Sequence, residues 1–233
     1  MYRLQQVNTT DLHKAIRLGC QTMCQVFNAD DHDIPFFASF VRPEAYLAFS
    51  PDHSEAHVPG RHLNALLLAQ AACDIAVPEV CIDKHAKAAY FSFSGPVPLP
   101  LNRSAVDGPL NRLVIHNIRE GLHALYALAR YRKDAQASEL FERSVACMLQ
   151  YWSPEAGWQT DALQALGLEV VDWSFIGGIA RAIGPLVKYY RHTGHGPSLY
   201  LAQLLARKAC RECYASGAFS LERLGAHTHS ITC

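Results

Sequence analysis

The chain has 233 residues, half of them hydrophobic, enough for a substantial core in one large domain or two small ones. Lys plus Arg and Asp plus Glu both total 21, so the formal net charge is zero. This removes the electrostatic footprint of a nucleic-acid or anionic-membrane binder. The N-terminus lacks the apolar core of a signal peptide, and no apolar run approaches the ~18 residues of a membrane span. The sequence therefore reads as a soluble, cytoplasmic protein, with its eight cysteines reduced.

In chain order, residues 11–29 place Leu12, Ala15, Ile16, Gly19, Cys20, Met23 and Phe27 close to an i, i+3, i+4, i+7 pattern, which predicts a lead-in helix. The proline- and aromatic-containing stretch to Glu55 predicts an ordered loop. From His57 the chain repeats. His57-Val58-Pro59-Gly60-Arg61-His62-Leu63-Asn64-Ala65-Leu66 aligns with His116-Asn117-Ile118-Arg119-Glu120-Gly121-Leu122-His123-Ala124-Leu125, 59 residues on, and a third copy starts at Ser174.

Each copy predicts a pair of helices, at about 59–73 and 78–93, 116–132 and 136–152, then 174–192 and 197–214. Gly95, Gly157 and Gly217 recur after the second helix of each pair, where a left-handed cap favours glycine. The first helix of a pair is apolar around much of its circumference, whereas the second keeps a charged face. Alternating inner and outer helices predict an all-α fold: an α/α-hairpin toroid of about three hairpins plus the lead-in helix, one domain over residues 1–233. His229-Ser230-Ile231-Thr232-Cys233 reads as the threshold of a fourth hairpin, so the toroid is expected to be incomplete at the C-terminus.

The segments joining one pair to the next, 94–115 and 153–173, are about 20 residues long and enter the N-termini of inner helices. Loops of that length are uncommon unless functional. At that end the sequence gathers Asp52, His53, Glu55, His57, Arg61 and His62 with His116, Asn117, Arg119, Glu120 and His123. Asp161, Asp172, Trp173, His227 and His229 join from later repeats. These residue types hydrogen-bond hydroxyls, pair with carboxylates and stack on sugar rings. Each also has a structural reading, His62 and His123 as core histidines and Arg61 and Arg119 as ties between helices.

Glycoside hydrolysis needs two carboxyl groups across the scissile bond, and Glu55, Glu120 and Asp172 are the candidates. His57, Arg61, His116, Asn117, Arg119, Trp173 and His229 are the candidate substrate-binding residues. No metal or cofactor is expected. Cys210-Arg211-Glu212-Cys213 has no matching second pair, His227-Thr228-His229 has no nearby carboxylate motif, and Gly177-Gly178 lacks the strand context of a dinucleotide fingerprint.

The segments beginning at Ala56 and His116, with His227-Thr228-His229-Ser230-Ile231-Thr232, resemble the six-hairpin glycosidase superfamily, most closely glycoside hydrolases of the family 154 type. The resemblance implies an (α/α)6 barrel acting on a glycoside, plausibly a β-glucuronide, with Arg61 and Arg119 suited to a uronate carboxylate. The chain departs from that pattern in holding three hairpins where the family has six. The expected function is thus a β-glucuronidase-like hydrolase with a carbohydrate substrate. The alternatives are a sugar lyase or epimerase, or a non-enzymatic helical-repeat binding module. Exposed inner helices would favour self-association into a homo-oligomer.

Overall fold

In the computed structural model, residues 11–40 and 46–214 are described. The helices are α1 (Leu12–Met23), α2 (Val58–Cys73), α3 (Glu79–Ser92), α4 (Ile118–Ala127), α5 (Ala135–Tyr151), α6 (Thr160–Ala165), α7 (Ile183–Thr193) and α8 (Gly196–Tyr214). Their starts follow local chemistry. The Asp11 carboxylate accepts the Lys14 amide at 3.0 Å to cap α1, and Asp134 does the same for Ala137 at 3.1 Å at α5. Three predicted pairs are present as α2/α3, α4/α5 and α7/α8.

The core forms where α2 packs on α4 and α4 on α7. Leu63, Leu66, Leu67, Ile118, Leu122 and Leu125 are fully buried between them, each contributing about 1.5–3 kcal/mol. Further out, Phe141 of α5 stacks on Tyr189 of α7, centroids 3.9 Å apart and 9° from parallel. The α2–α4 approach is set by Gly60, where a Cβ would stand 1.9 Å from the backbone oxygen of Glu120.

The all-α toroid expected from the repeat is wrong: the fold is mixed α/β. Nine short strands accompany the helices among the described residues. β1 (Phe27–Asn28), in the last part of the predicted lead-in helix, which ends instead at Met23, pairs with β2 (Ile34–Pro35), and inside the predicted loop β3 (Ala38–Phe40) pairs with β4 (Tyr46–Ala48). β7 (Trp152–Ser153) and β8 (Gly157–Trp158) make a hairpin. The linkers between helical pairs supply β5 (Asn102–Arg103), β6 (Leu110–Val114) and β9 (Glu169–Val171), which form one mixed sheet in the order β5-β6-β9. The physical reason is that two long linkers lying side by side leave backbone N–H and C=O groups that must be satisfied. Pairing the linkers with each other does this. At two to five residues per strand, no periodic signal marked them.

The left-handed residues also fall elsewhere than expected. Asp74 (φ 52°), Lys133 (φ 55°) and Gly194 (φ 76°) end the first helix of each pair. Gly157 has φ 71° but sits in the β7–β8 hairpin, and Gly217 lies outside the described residues. The third repeat begins late: Ser174–Gly178 is a turn, followed by a 3-10 turn at Ile179–Ala182 before α7.

Gly60→Ala should cost about 3 kcal/mol, because its new methyl meets backbone rather than a movable side chain. Gly184→Ala, with nothing within 4 Å of the added carbon, should leave stability unchanged or slightly raised. Urea midpoints of the two variants check this pair, and equal midpoints would refute the close-approach argument.

Candidate functional site

The mixed sheet explains how distant residues converge. β6 and β9 are parallel, with Arg112 opposite Glu169 and Val114 opposite Val171, so both strands deliver the chain to the same edge. Beyond β6 come His116 and Asn117 in a 3-10 turn. Beyond β9 come Asp172 and Trp173. The carboxyl ends of parallel strands are where α/β sheets place ligand sites. Arg112 binds Asp52 (2.9 Å) and Glu169, tying the turn before α2 to the sheet.

At the centre is Glu120, in the first turn of α4 with its side chain 1% exposed. Its Oε1 accepts from Arg119 Nη2 at 2.7 Å and from Arg181 Nη2 at 2.8 Å, and Arg61 Nε lies at 3.5 Å. Oε2 has no hydrogen bond and stands 3.9 Å from His57 Nδ1. Burial opposes ionisation of Glu120. His57 and the guanidiniums of Arg181 and Arg119 overcome it and hold the carboxyl down at about 2. Three guanidiniums on one carboxylate leave an excess of positive charge. Arg181 is itself buried and drawn down to about 10 by that burial, and remains cationic at neutral pH.

Beside this cluster stands an aromatic shelf. His57 and His116 stack with centroids 5.6 Å apart at 4°. His53 meets His57 edge-on at 5.0 Å and stacks on Phe37 at 4.1 Å, while Trp173 tilts over His116 at 4.8 Å. His57 Nδ1 donates to Asn117 Oδ1 (3.0 Å), and Asn117 Nδ2 donates to the Asp52 carbonyl. His116 Nδ1 donates to the Gly177 carbonyl at 2.7 Å. Burial pushes His57 down to about 3, and burial with the nearby Arg181 charge pushes His116 down to about 4. Both imidazoles are therefore neutral at pH 7. In His57 the bond from Nδ1 fixes the tautomer, leaving the Nε2 lone pair as the basic atom. A cavity of about 190 Å³ opens against this wall, lined by Val26, Phe36, Phe37, His57, Val58, Arg61 and His62.

Asp172 is exposed beside Trp173, which is 47% exposed. Surrounding protein pushes the Asp172 carboxyl upward. Gly178 makes room for it, since a Cβ there would lie 2.9 Å from Asp172 Oδ1.

The structure thus brings together His57, Arg61, His116, Asn117, Arg119, Glu120, Asp172 and Trp173 of the predicted residues. It separates Glu55, which is fully buried in another network. Glu55 Oε1 accepts from Arg103 Nε at 2.7 Å, and Arg103 also binds Asp31 through both terminal nitrogens at 3.1 and 2.7 Å. Glu55 Oε2 is unpartnered, and burial pushes its carboxyl up to about 7 against the opposing pull of Arg103. His229 lies outside the described residues, as does His227. His62 and His85 form a core pair at 3.3 Å, as in the structural reading of His62. No group of three or more His, Cys, Asp or Glu converges as a metal site among the described residues, and no helix there is long and apolar enough to cross a membrane.

Arg181 and Phe37 are not among the residues the sequence gathers at this end, and His53, gathered there, is given no role by it. Arg181 follows Arg119 by 62 residues, the same interval as Gly95 to Gly157, so the glycine period carried a signal for it that the helix alignment did not. Comparison with protein-family models, curated proteins and solved structures finds no match to this chain, so the functional reading rests on the site itself.

Two stability predictions follow from the two buried carboxylates. Glu120 has a lowered pKa, so its contribution is present above the ordinary carboxylate value of 4.5 and is lost as pH falls from there toward 2. Glu120→Gln should cost about 3–5 kcal/mol at neutral pH by leaving buried guanidiniums uncompensated, and this deficit should shrink over that acid window in denaturant titrations. Glu55 has a raised pKa, so the folded state loses stability as pH rises from 4.5 to about 7. Glu55→Gln should therefore gain relative to wild type across that window. A pH-independent difference would contradict the assignment.

Proposed function

We propose that the protein binds a uronic-acid-bearing glycoside at the Glu120 cluster and hydrolyses its glycosidic bond. The observation that carries this is the excess of guanidinium charge over carboxylate beside a small cavity with aromatic walls. Arg61 is the exchangeable member: its side chain is 52% exposed and its Nε is only loosely held at 3.5 Å from Glu120, yet it lines the cavity. It would pair with the substrate carboxylate in the planar, two-pronged manner that arginine favours. Arg119 and Arg181 are already spent on Glu120 and set the field. The exposed rings of Phe37 and Trp173 supply apolar faces for a sugar.

The roles expected of the three carboxylates change accordingly. Glu120 is held ionised and cannot donate a proton, so it serves as the anchor of the arginines. Glu55 is sealed behind Arg103. Asp172 is assigned as the general acid: it is exposed beside Trp173, and the upward shift of its carboxyl is in the direction a proton donor to the leaving oxygen requires. The neutral His57 accepts a proton from water at Nε2 while the water oxygen bonds to the anomeric carbon. The carbon–oxygen bond to the leaving group breaks, and the Asp172 proton passes to that oxygen.

A second reading, a lyase or epimerase on the same uronate, is favoured by one observation: two neutral imidazoles, and no second unengaged carboxylate, flank the guanidiniums. There His57 would remove the proton α to a carboxylate whose charge arginine neutralises.

Arg61→Ala should lower kcat/KM on an aryl uronide by about 100-fold or more and leave the matching neutral glycoside nearly unchanged. Equal losses on both would remove the uronate assignment. Asp172→Asn should cost about 10²–10⁴-fold on poor leaving groups. Appearance of the absorbance of an unsaturated uronate in the product would replace hydrolysis by elimination.

A further inference from the structure

A second cluster of positive charge lies further along α4, where it packs against α7. The helix of the second repeat ends in a π-helical turn, Leu128–Arg132, whose wider winding carries Arg130. Turns of this kind are rare and concentrate at functional positions. Facing it, the C-terminal half of α7 presents Lys188, Arg191 and His192. Together with Tyr126 of α4 these residues line an open concavity of about 370 Å³, and among the described residues no carboxylate belongs to that lining.

Acidic and basic residues are equal in number; Arg103, Arg112, Arg132, Lys84 and Lys208 each meet a carboxylate, and what sets this cluster apart from other surface cations is that its members converge on one concavity. Among the described residues Arg130, Lys188 and Arg191 meet none. Basic residues in the last turn of a helix complement its negative end, which accounts for Arg191 and His192. It does not account for Lys188, further back along α7, or for Arg130, which comes from another element. Lys188 stands over the Tyr126 ring with its Nζ 5.9 Å from the centroid, so the cations share one aromatic floor. Burial and the Arg119 charge both pull the Lys188 amine below its ordinary value, so the folded protein holds it against local repulsion.

We propose that this concavity is an anion site distinct from the glycoside site, binding a doubly charged oxyanion, the phosphate or sulfate group of a small ligand. Arg130 and Arg191 supply planar donors from two sides, Lys188 a point charge from above Tyr126, and a tetrahedral oxyanion has the acceptor count to use all three. The inference does not rest on the uronide reading.

Isothermal titration of the full chain with inorganic phosphate, at constant ionic strength set with chloride, tests it. Phosphate should bind saturably, and the double variant K188Q/R191Q should weaken binding by about tenfold or more, while Arg143→Gln on the exposed face of α5 leaves it unchanged. Parallel titrations with sulfate and with a sugar phosphomonoester separate a site for the free ion from one for an ester: tighter binding of the ester identifies a phosphorylated ligand, and equal affinities identify the ion. Heat no greater than that of chloride, or phosphate binding that survives in K188Q/R191Q, would overturn the site. Retention of wild-type uronide turnover by K188Q/R191Q would show that the two sites are independent, whatever the fate of either proposal.

Discussion

The arrangement depends on one buried carboxylate. Glu120 is enclosed at the start of α4, and arginines from α2, from α4 itself and from the turn before α7 converge on it. Any one of these charges alone would be costly to bury, since removing an ion from water costs several kcal/mol even after relaxation. Together they are tolerable only in a fixed geometry. This couples the register of the three helical pairs to one another at the end where the site lies. Close packing enforces the same register from the apolar side, through Gly60 against the Glu120 backbone.

The sheet does for the loops what Glu120 does for the helices. Because β6 and β9 run parallel, the residues that follow them emerge together, and His116 comes within 4.8 Å of Trp173 although the two are 57 residues apart. The antiparallel neighbour β5 reaches the other way. Its Asn102 accepts the Ala56 amide at 3.1 Å and its Arg103 holds Glu55, fixing the turn that carries His53 and His57. The salt links of Arg112 join both halves. The two linkers and the turn before α2 thus become one support for side chains drawn from several elements.

Electrostatics then divides the labour among similar residues. Of the three carboxyls expected to do chemistry, His57 and guanidiniums depress one, burial raises another in a sealed network, and the third is exposed beside Trp173. The same imidazole chemistry is split likewise. His57 and His116 are kept neutral beside the cationic cluster, while His62, half-buried, pairs with the buried His85 behind the cavity wall. Environment, not residue type, decides which group can donate or accept a proton.

The sequence by itself determined the three helical pairs, their approximate limits, and the collection of His57, Arg61, His116, Asn117, Arg119, Glu120, Asp172 and Trp173 at one end. Helical periodicity is a local property written over ten or more residues, and inner helices announce their burial by apolarity all round. Only the tertiary structure decided that the fold is mixed α/β, because strands of two to five residues leave no periodic trace and their pairing joins residues some 57 positions apart. It also brought Arg181 onto Glu120, displaced Glu55, and moved the left-handed caps from Gly95 and Gly157 to Asp74, Lys133 and Gly194. Those outcomes turn on which buried charges meet and which backbone groups find partners, and both are settled by contacts between distant segments rather than by any one stretch of chain.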